Sequence, residues 1–168
     1  MLSNEVIDQL LGISESYKAP KAMFDKMLDD KKRVELFDAF LKHESNLDYE
    51  WFQNYFESEH ADRKVKKQDF TPYSISRLGA LILGESDSYF EAAAGTGGML
   101  IQSWLLNRKN KKRHYHVEEL SDRAVPFLIF NMAIRGINGE VCHGDSLTND
   151  FKTIYQIVNE GRFSKVMC

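Results

Sequence analysis

The sequence has no surplus of positive charge: its 22 lysines and arginines are outnumbered by 25 aspartates and glutamates, for a formal net charge of −3. A protein that holds nucleic acid by bulk charge would be basic, so any DNA contact here falls to local patches or to a partner subunit. Long apolar runs are also missing, none approaching the roughly 18 to 20 residues that crossing a bilayer takes. The start Met1-Leu2-Ser3-Asn4-Glu5 lacks the basic-then-apolar order of a secretory signal. Together these absences predict a cytoplasmic protein with no membrane partner. Cysteine is scarce, and Cys142 and Cys168 form no spacing motif, so neither a disulfide nor a zinc site is expected. Cys142 lies in an apolar, strand-like stretch and reads as a small hydrophobe.

What is present is a globular composition, 43% hydrophobic and 28% charged over 168 residues. That length allows one good core, or a modest core behind a small helical extension. From Asn4 to Glu59 apolar residues such as Val34, Phe37, Leu41, Trp51, Phe52, Tyr55 and Phe56 recur at intervals of three and four, which predicts helices. Breaks at Gly12, Ala19-Pro20 and Ser45 to Asp48 divide this stretch into three or four, with Asp48 as N-cap of the aromatic one. The aromatic stripe is expected to pack against the next domain rather than stack on bases.

The rhythm then changes. Thr71-Pro72 reads as N-cap and first helical residue of a helix through Ile75, Leu78 and Ile82, stopped at Gly84. A strand at Tyr89-Phe90 enters a glycine-rich turn, and a helix follows from Met99 to Asn107. His114 to Val117 predicts a second strand, Ser121 to Arg135 a second helix, and Gly139 to Cys142 a third strand. Lys152 to Asn159 reads as helical and Phe163 to Met167 as a fourth strand. The expected division is a helical region over 1–67 and an α/β unit over 68–168. Its fold class is α/β, a parallel sheet of right-handed crossovers with flanking helices.

In such a sheet ligands sit beyond the C-terminal strand ends, and three loops converge there. The turn Glu91-Ala92-Ala93-Ala94-Gly95-Thr96-Gly97-Gly98 removes β-carbons where helix N–H groups point outward. Glu118 and Glu119, about 25 residues beyond the glycines, are candidates for holding two ribose hydroxyls; a surface charge is the competing reading. Asp145 in Gly144-Asp145-Ser146-Leu147 is placed to accept from an adenine amine, against the alternative of a cap. The three together describe a site for an adenosine-bearing cofactor, without a lysine loop for phosphate. Two basic runs are set apart by position: Arg63 to Lys67 precedes the cofactor edge, where it could reach DNA phosphates, whereas Arg108 to Arg113 leads into a strand on the opposite edge and reads as a solvated loop. His114, His116 and His143 offer a metal trio by position, with partly exposed edge histidines as the stronger reading.

Gln68-Asp69-Phe70-Thr71-Pro72, Glu91 to Gly98, Glu119-Leu120, Asn131 to Ile137 and Gly144 to Leu147 resemble, in order, the motifs of N6-adenine DNA methyltransferases, specifically the modification subunits of type I restriction systems. The resemblance runs from about Trp51 to the end. It implies a Rossmann-like methyltransferase core that binds S-adenosylmethionine. Phe70, Thr71 and Pro72, with Glu91, Ala93, Gly95, Thr96, Gly97 and Gly98, would hold the methionine half. Glu119 would hold the ribose, and Asp145, Ser146 and Leu147 the adenine side. The family's D-P-A-C-G-T-G-G is altered here to Glu91, Ala92 and Ala94 at its first, second and fourth positions. The family's catalytic N/D-P-P-Y/F occurs nowhere in the 168 residues, so the core is expected to be incomplete at its C-terminal end. Implied partners are DNA and a specificity or restriction subunit. The alternative is a non-catalytic module that keeps the fold to bind DNA or such a partner.

Overall fold

The computed structural model describes residues 2–59 and 70–168. Four helices come first: α1 (Asn4–Leu11), α2 (Ala19–Met27), α3 (Asp30–His43) and α4 (Gln53–Glu59). Their ends follow local chemistry. The Ser3 side chain accepts from Val6 N–H, and Gly12 stops α1 in a left-handed conformation at φ 75°. Asp29 caps α3 through Lys31 and Lys32 N–H. Ala19-Pro20 marks the expected division by opening α2, since proline in the first turn has no N–H to lose. Asp48 does not cap α4; Glu50 Oε2 accepts from Phe52 N–H at 2.9 Å just ahead of it.

The remainder runs α5 (Tyr73–Leu83), β1 (Ser88–Glu91), α6 (Gly98–Asn107), β2 (His114–Glu119), α7 (Val125–Ile134), β3 (Asn138–Asp145), β4 (Asp150–Asn159) and β5 (Ser164–Met167). Pro72, not Thr71, is the N-cap of α5. The sheet order is β1-β2-β3-β4-β5. β1, β2 and β3 are parallel, joined by α6 and α7. β4 and β5 continue the sheet antiparallel.

β4 overturns the expected helix over Lys152 to Asn159. Its burial alternates along Tyr155, Gln156, Ile157 and Val158, and Phe151, Thr153, Ile154, Tyr155, Ile157 and Val158 are β-formers that suit a half-buried strand. A turn through Asn149, at φ 56°, reverses the chain. A register shift at His143/Gly144 brings β4 so close that a β-carbon on Gly144 would lie 2.1 Å from Asp150 O.

The helices gather on one face. Tyr89, Tyr115, Val117, Val141, Tyr155, Ile157 and Val166 are buried there, as parallel crossovers advancing in one direction require. The helical N-terminal region joins the same core through its aromatic stripe. Phe52 meets Phe127 and Phe130 of α7, each at 5.0 Å between centroids, and Phe56 meets Phe70 at 5.4 Å. Burial of such rings contributes about 1.5 to 3 kcal/mol apiece, so the stripe is packing, as its spacing predicted. On the other face Phe90, Ile154, Val158 and Met167 are exposed. α5 buries only Ser76 and Ala80, leaving Ile75, Leu78 and Ile82 exposed.

Arg113 corrects the reading of the second basic run. It is 2% exposed, lies over the Tyr115 and Tyr89 rings, and donates to Ser103 O at 3.0 Å and Ser86 Oγ at 2.8 Å. Arg108, Lys109, Lys111 and Lys112 are exposed as expected. Arg63 to Lys67 lies outside the described residues.

Candidate functional site

The glycine turn is built by its backbone. Ala94 N–H donates to Glu118 O at 2.9 Å and Gly97 N–H to Ala94 O at 2.9 Å, so the turn hangs from the end of β2. Gly97 caps α6 at φ 98°, and a β-carbon there would meet Leu128 Cδ1 at 3.1 Å; the position needs glycine for conformation and for space. Ala93 also takes a positive φ, 57°, a conformation that costs an L-residue roughly 1 kcal/mol.

Beside the turn is a cavity of about 290 Å³. Of the residues expected from the sequence, Phe70, Thr71, Glu91, Ala93, Gly95, Thr96, Gly98 and Glu119 line it. Pro72, Gly97, Asp145, Ser146 and Leu147 do not. Asp145 Oδ1 accepts from Leu147 N–H at 2.9 Å, closing a local turn, and the Leu147 side chain is 96% exposed. The choice between the two acids of β2 follows from strand alternation: Glu119 points to the cavity and Glu118 to the opposite face.

Glu119 is bound into the turn. Its Oε2 accepts from Gly95 N–H at 2.7 Å and its Oε1 from Ser121 N–H at 2.7 Å. Glu91 receives the Tyr89 hydroxyl at 2.8 Å, yet burial, with a smaller push from Glu119, raises its pKa to about 7.

Two wall residues come from upstream of α5 and were not anticipated: Glu50 and Gln53. Glu50 Oε1 accepts from Asn131 Nδ2 at 2.6 Å, and the same amide donates to Thr96 O at 2.8 Å. Asn131 Oδ1 in turn accepts from Arg135 Nη1 at 2.8 Å, and Arg135 reaches Leu47 O and Tyr49 O at 2.9 and 2.7 Å. The network ties the helical region, the glycine turn and α7 together. Burial pushes Glu50 up to about 7 and Arg135 down to about 10. The only sequence trace of Glu50 was its place just before Trp51; nothing in its spacing joined it to the glycines. Glu50, Gln53, Thr71 and Gly98 also line an adjoining cavity of about 380 Å³.

Three carboxylates, from Glu50, Glu91 and Glu119, thus face one cavity, and among the described residues no lysine or arginine lines it. Such a site suits a cationic ligand with donor groups and disfavours phosphate. No helix among the described residues is long and apolar enough to cross a membrane. No curated protein matches the chain. A family model described as N-6 DNA methylase matches residues 46–168, a stretch that takes in Glu50, the glycine turn, Glu119 and the whole sheet. The chain belongs to the N-6 DNA methylase family.

Proposed function

We infer that the chain binds S-adenosylmethionine beside the glycine turn and is the cofactor-holding part of a DNA adenine-N6 methyltransferase of the type I restriction-modification kind. The observation that carries this is the acid-lined cavity. S-Adenosylmethionine bears a sulfonium and an ammonium, and Glu50 and Glu91, raised to about 7 by burial, gain most from a cation beside them.

When bound, the cofactor supplies a methyl group on a sulfonium, ready for transfer to a nucleophilic amine. The chain's own residues orient it. Gly95 and Gly98 leave room for backbone approach, Phe70 and Thr71 close the methionine side, and Glu91 takes the ammonium. Glu119 would keep lone pairs for ribose hydroxyls while holding Gly95 N–H, and Asp145 would be the acid on the adenine side. Adenine in DNA must leave the stack to reach this edge, and catalysis then rests on alignment in a dry pocket. The N/D-P-P-Y/F that holds the target amine in the resembled enzymes is not in this sequence, so methyl transfer requires it from another polypeptide segment. DNA contact falls to that segment, to a specificity or restriction subunit, or to Arg63 to Lys67.

The test is ligand discrimination. S-Adenosylmethionine should bind, and ATP and NAD should not, because their phosphates meet three carboxylates. Glu91→Gln should weaken S-adenosylmethionine and the thioether S-adenosylhomocysteine alike, because both carry the ammonium assigned to Glu91. No loss for either, or preference for a phosphate ligand, contradicts the reading.

A further inference from the structure

The sheet face turned away from the helices carries a polar cluster that the cofactor reading leaves unused. β2 and β3 pair His116 with Glu140 and Glu118 with Cys142, so all four side chains project from adjacent strands on one face. The His116 ring lies between two carboxylates, Nδ1 at 2.7 Å from Glu140 Oε1 and Nε2 at 3.0 Å from Glu118 Oε1. Cys142 Sγ is 3.8 Å from Nε2. One ligand atom from each of His116, Glu140 and Cys142 falls within 4.8 Å of the others. His143, grouped with His116 by sequence alone, is on the other face, paired with Asp122 at 2.9 Å.

We propose that His116, Glu140 and Cys142 bind a divalent transition metal of the zinc class, with Glu118 as a fourth donor. Zinc bonds of about 2.0 to 2.3 Å in a tetrahedron set donors roughly 3.3 to 3.8 Å apart. The nitrogen-to-sulfur distance already meets this, and the carboxylates need only side-chain adjustment. Imidazole with thiolate selects zinc or cobalt over magnesium or calcium. A further support is in place: Gln156 Nε2 donates to Glu140 Oε2 at 2.9 Å, and Phe90 stacks on the His116 ring at 5.5 Å.

Binding exchanges protons for the ion: the thiol becomes a metal-bound thiolate and releases its proton, and an imidazolium releases one more. Without metal, burial and the neighbouring carboxylates hold the Cys142 thiol up at about 11, a cost that a dication at the same place removes. The ion has a path in, since the His116 side chain is 32% exposed and that of Glu140 24%.

Chelator-treated full-length protein titrated with cobalt(II) should develop the near-ultraviolet charge-transfer band of a thiolate–cobalt bond, and zinc should abolish it by displacement. Cys142→Ser should remove the band, while Cys168→Ser, altering the other free cysteine, which is exposed, should keep it. Glu140→Gln should weaken zinc at least about tenfold, since a direct donor costs no less than the groups that orient one. Should Cys142→Ser fold poorly, zinc-dependent elevation of the wild-type melting temperature provides an independent readout. A folded wild-type protein with no cobalt band and no zinc-dependent shift overturns the proposal and leaves the cluster as an imidazolium held between two carboxylates. A band lost only in Cys168→Ser overturns it as well.

Discussion

Glu119 Oε2 accepts the backbone N–H of Gly95 at 2.7 Å, so the acid at the end of β2 is part of what shapes the glycine turn. Its other oxygen holds Ser121 N–H at 2.7 Å, at the start of the segment leading into α7.

Glu119→Ala should therefore lower the melting temperature of the protein without any ligand. Two backbone donors lose a charged acceptor, a loss of about 1.5 to 3 kcal/mol and several degrees for a chain of this size. A melting curve superimposable on wild type would reduce Glu119 to a ligand contact alone.

Gly97→Ala faces both a φ of 98° and a 3.1 Å approach to Leu128 Cδ1. Destabilisation of about 1 to 2 kcal/mol is expected by chemical denaturation, and cofactor binding should fall because the cap of α6 shifts. Ala93→Gly should act in the opposite sense, relieving a positive φ of 57°, with a gain of up to about 1 kcal/mol.

Asn131 is wholly buried and joins Glu50, Thr96 and Arg135. Asn131→Ala removes a hydrogen bond from each of Glu50, Thr96 O and Arg135 at once, and a loss of about 2 to 4 kcal/mol should follow. Double-mutant analysis with Glu50→Gln should show strong coupling; additive losses would mean that the network does not act as a unit.

The acids of the cavity set a pH dependence. Because the folded pKa of Glu91 is raised from 4.5 to about 7, the folded state holds its proton more tightly than the unfolded one. Stability is therefore lost as pH rises between those values. Glu91→Gln should stabilise the ligand-free protein at pH 8, by up to roughly 2 to 3 kcal/mol, and change little at pH 5. A cationic ligand favours the ionised form, so affinity should drop about tenfold from pH 8 to pH 6, with proton uptake from the protein by the buffer on binding. Affinity that is flat across that range would contradict the assignment of Glu91 to the cation.

The sequence revealed the strand-turn-helix order because glycines, helix periodicity and short strands are local signals, and Gly95, Thr96, Gly98, Glu91 and Glu119 do meet at one cavity. What it hid was set by tertiary contact. Glu50 looked like any surface acid until packing of the aromatic helix brought it to Asn131. Arg113 belonged to a basic run, yet two tyrosines and a helix carbonyl bury it. Lys152 to Asn159 carries apolar residues that fit either period over so short a span, and pairing with β3 decided for a strand. Cys142 is buried in β3 as its apolar stretch implied, but its neighbours His116 and Glu118 lie on the adjacent strand, where no local pattern joins them to it.

Calorimetric titration of the chain with S-adenosylmethionine at pH 8 tests the central claim most directly. The account predicts saturable binding at one site per chain, weakened at least tenfold by Glu91→Gln and by Glu119→Ala in protein that remains folded. A null titration of well-folded wild-type protein would contradict it.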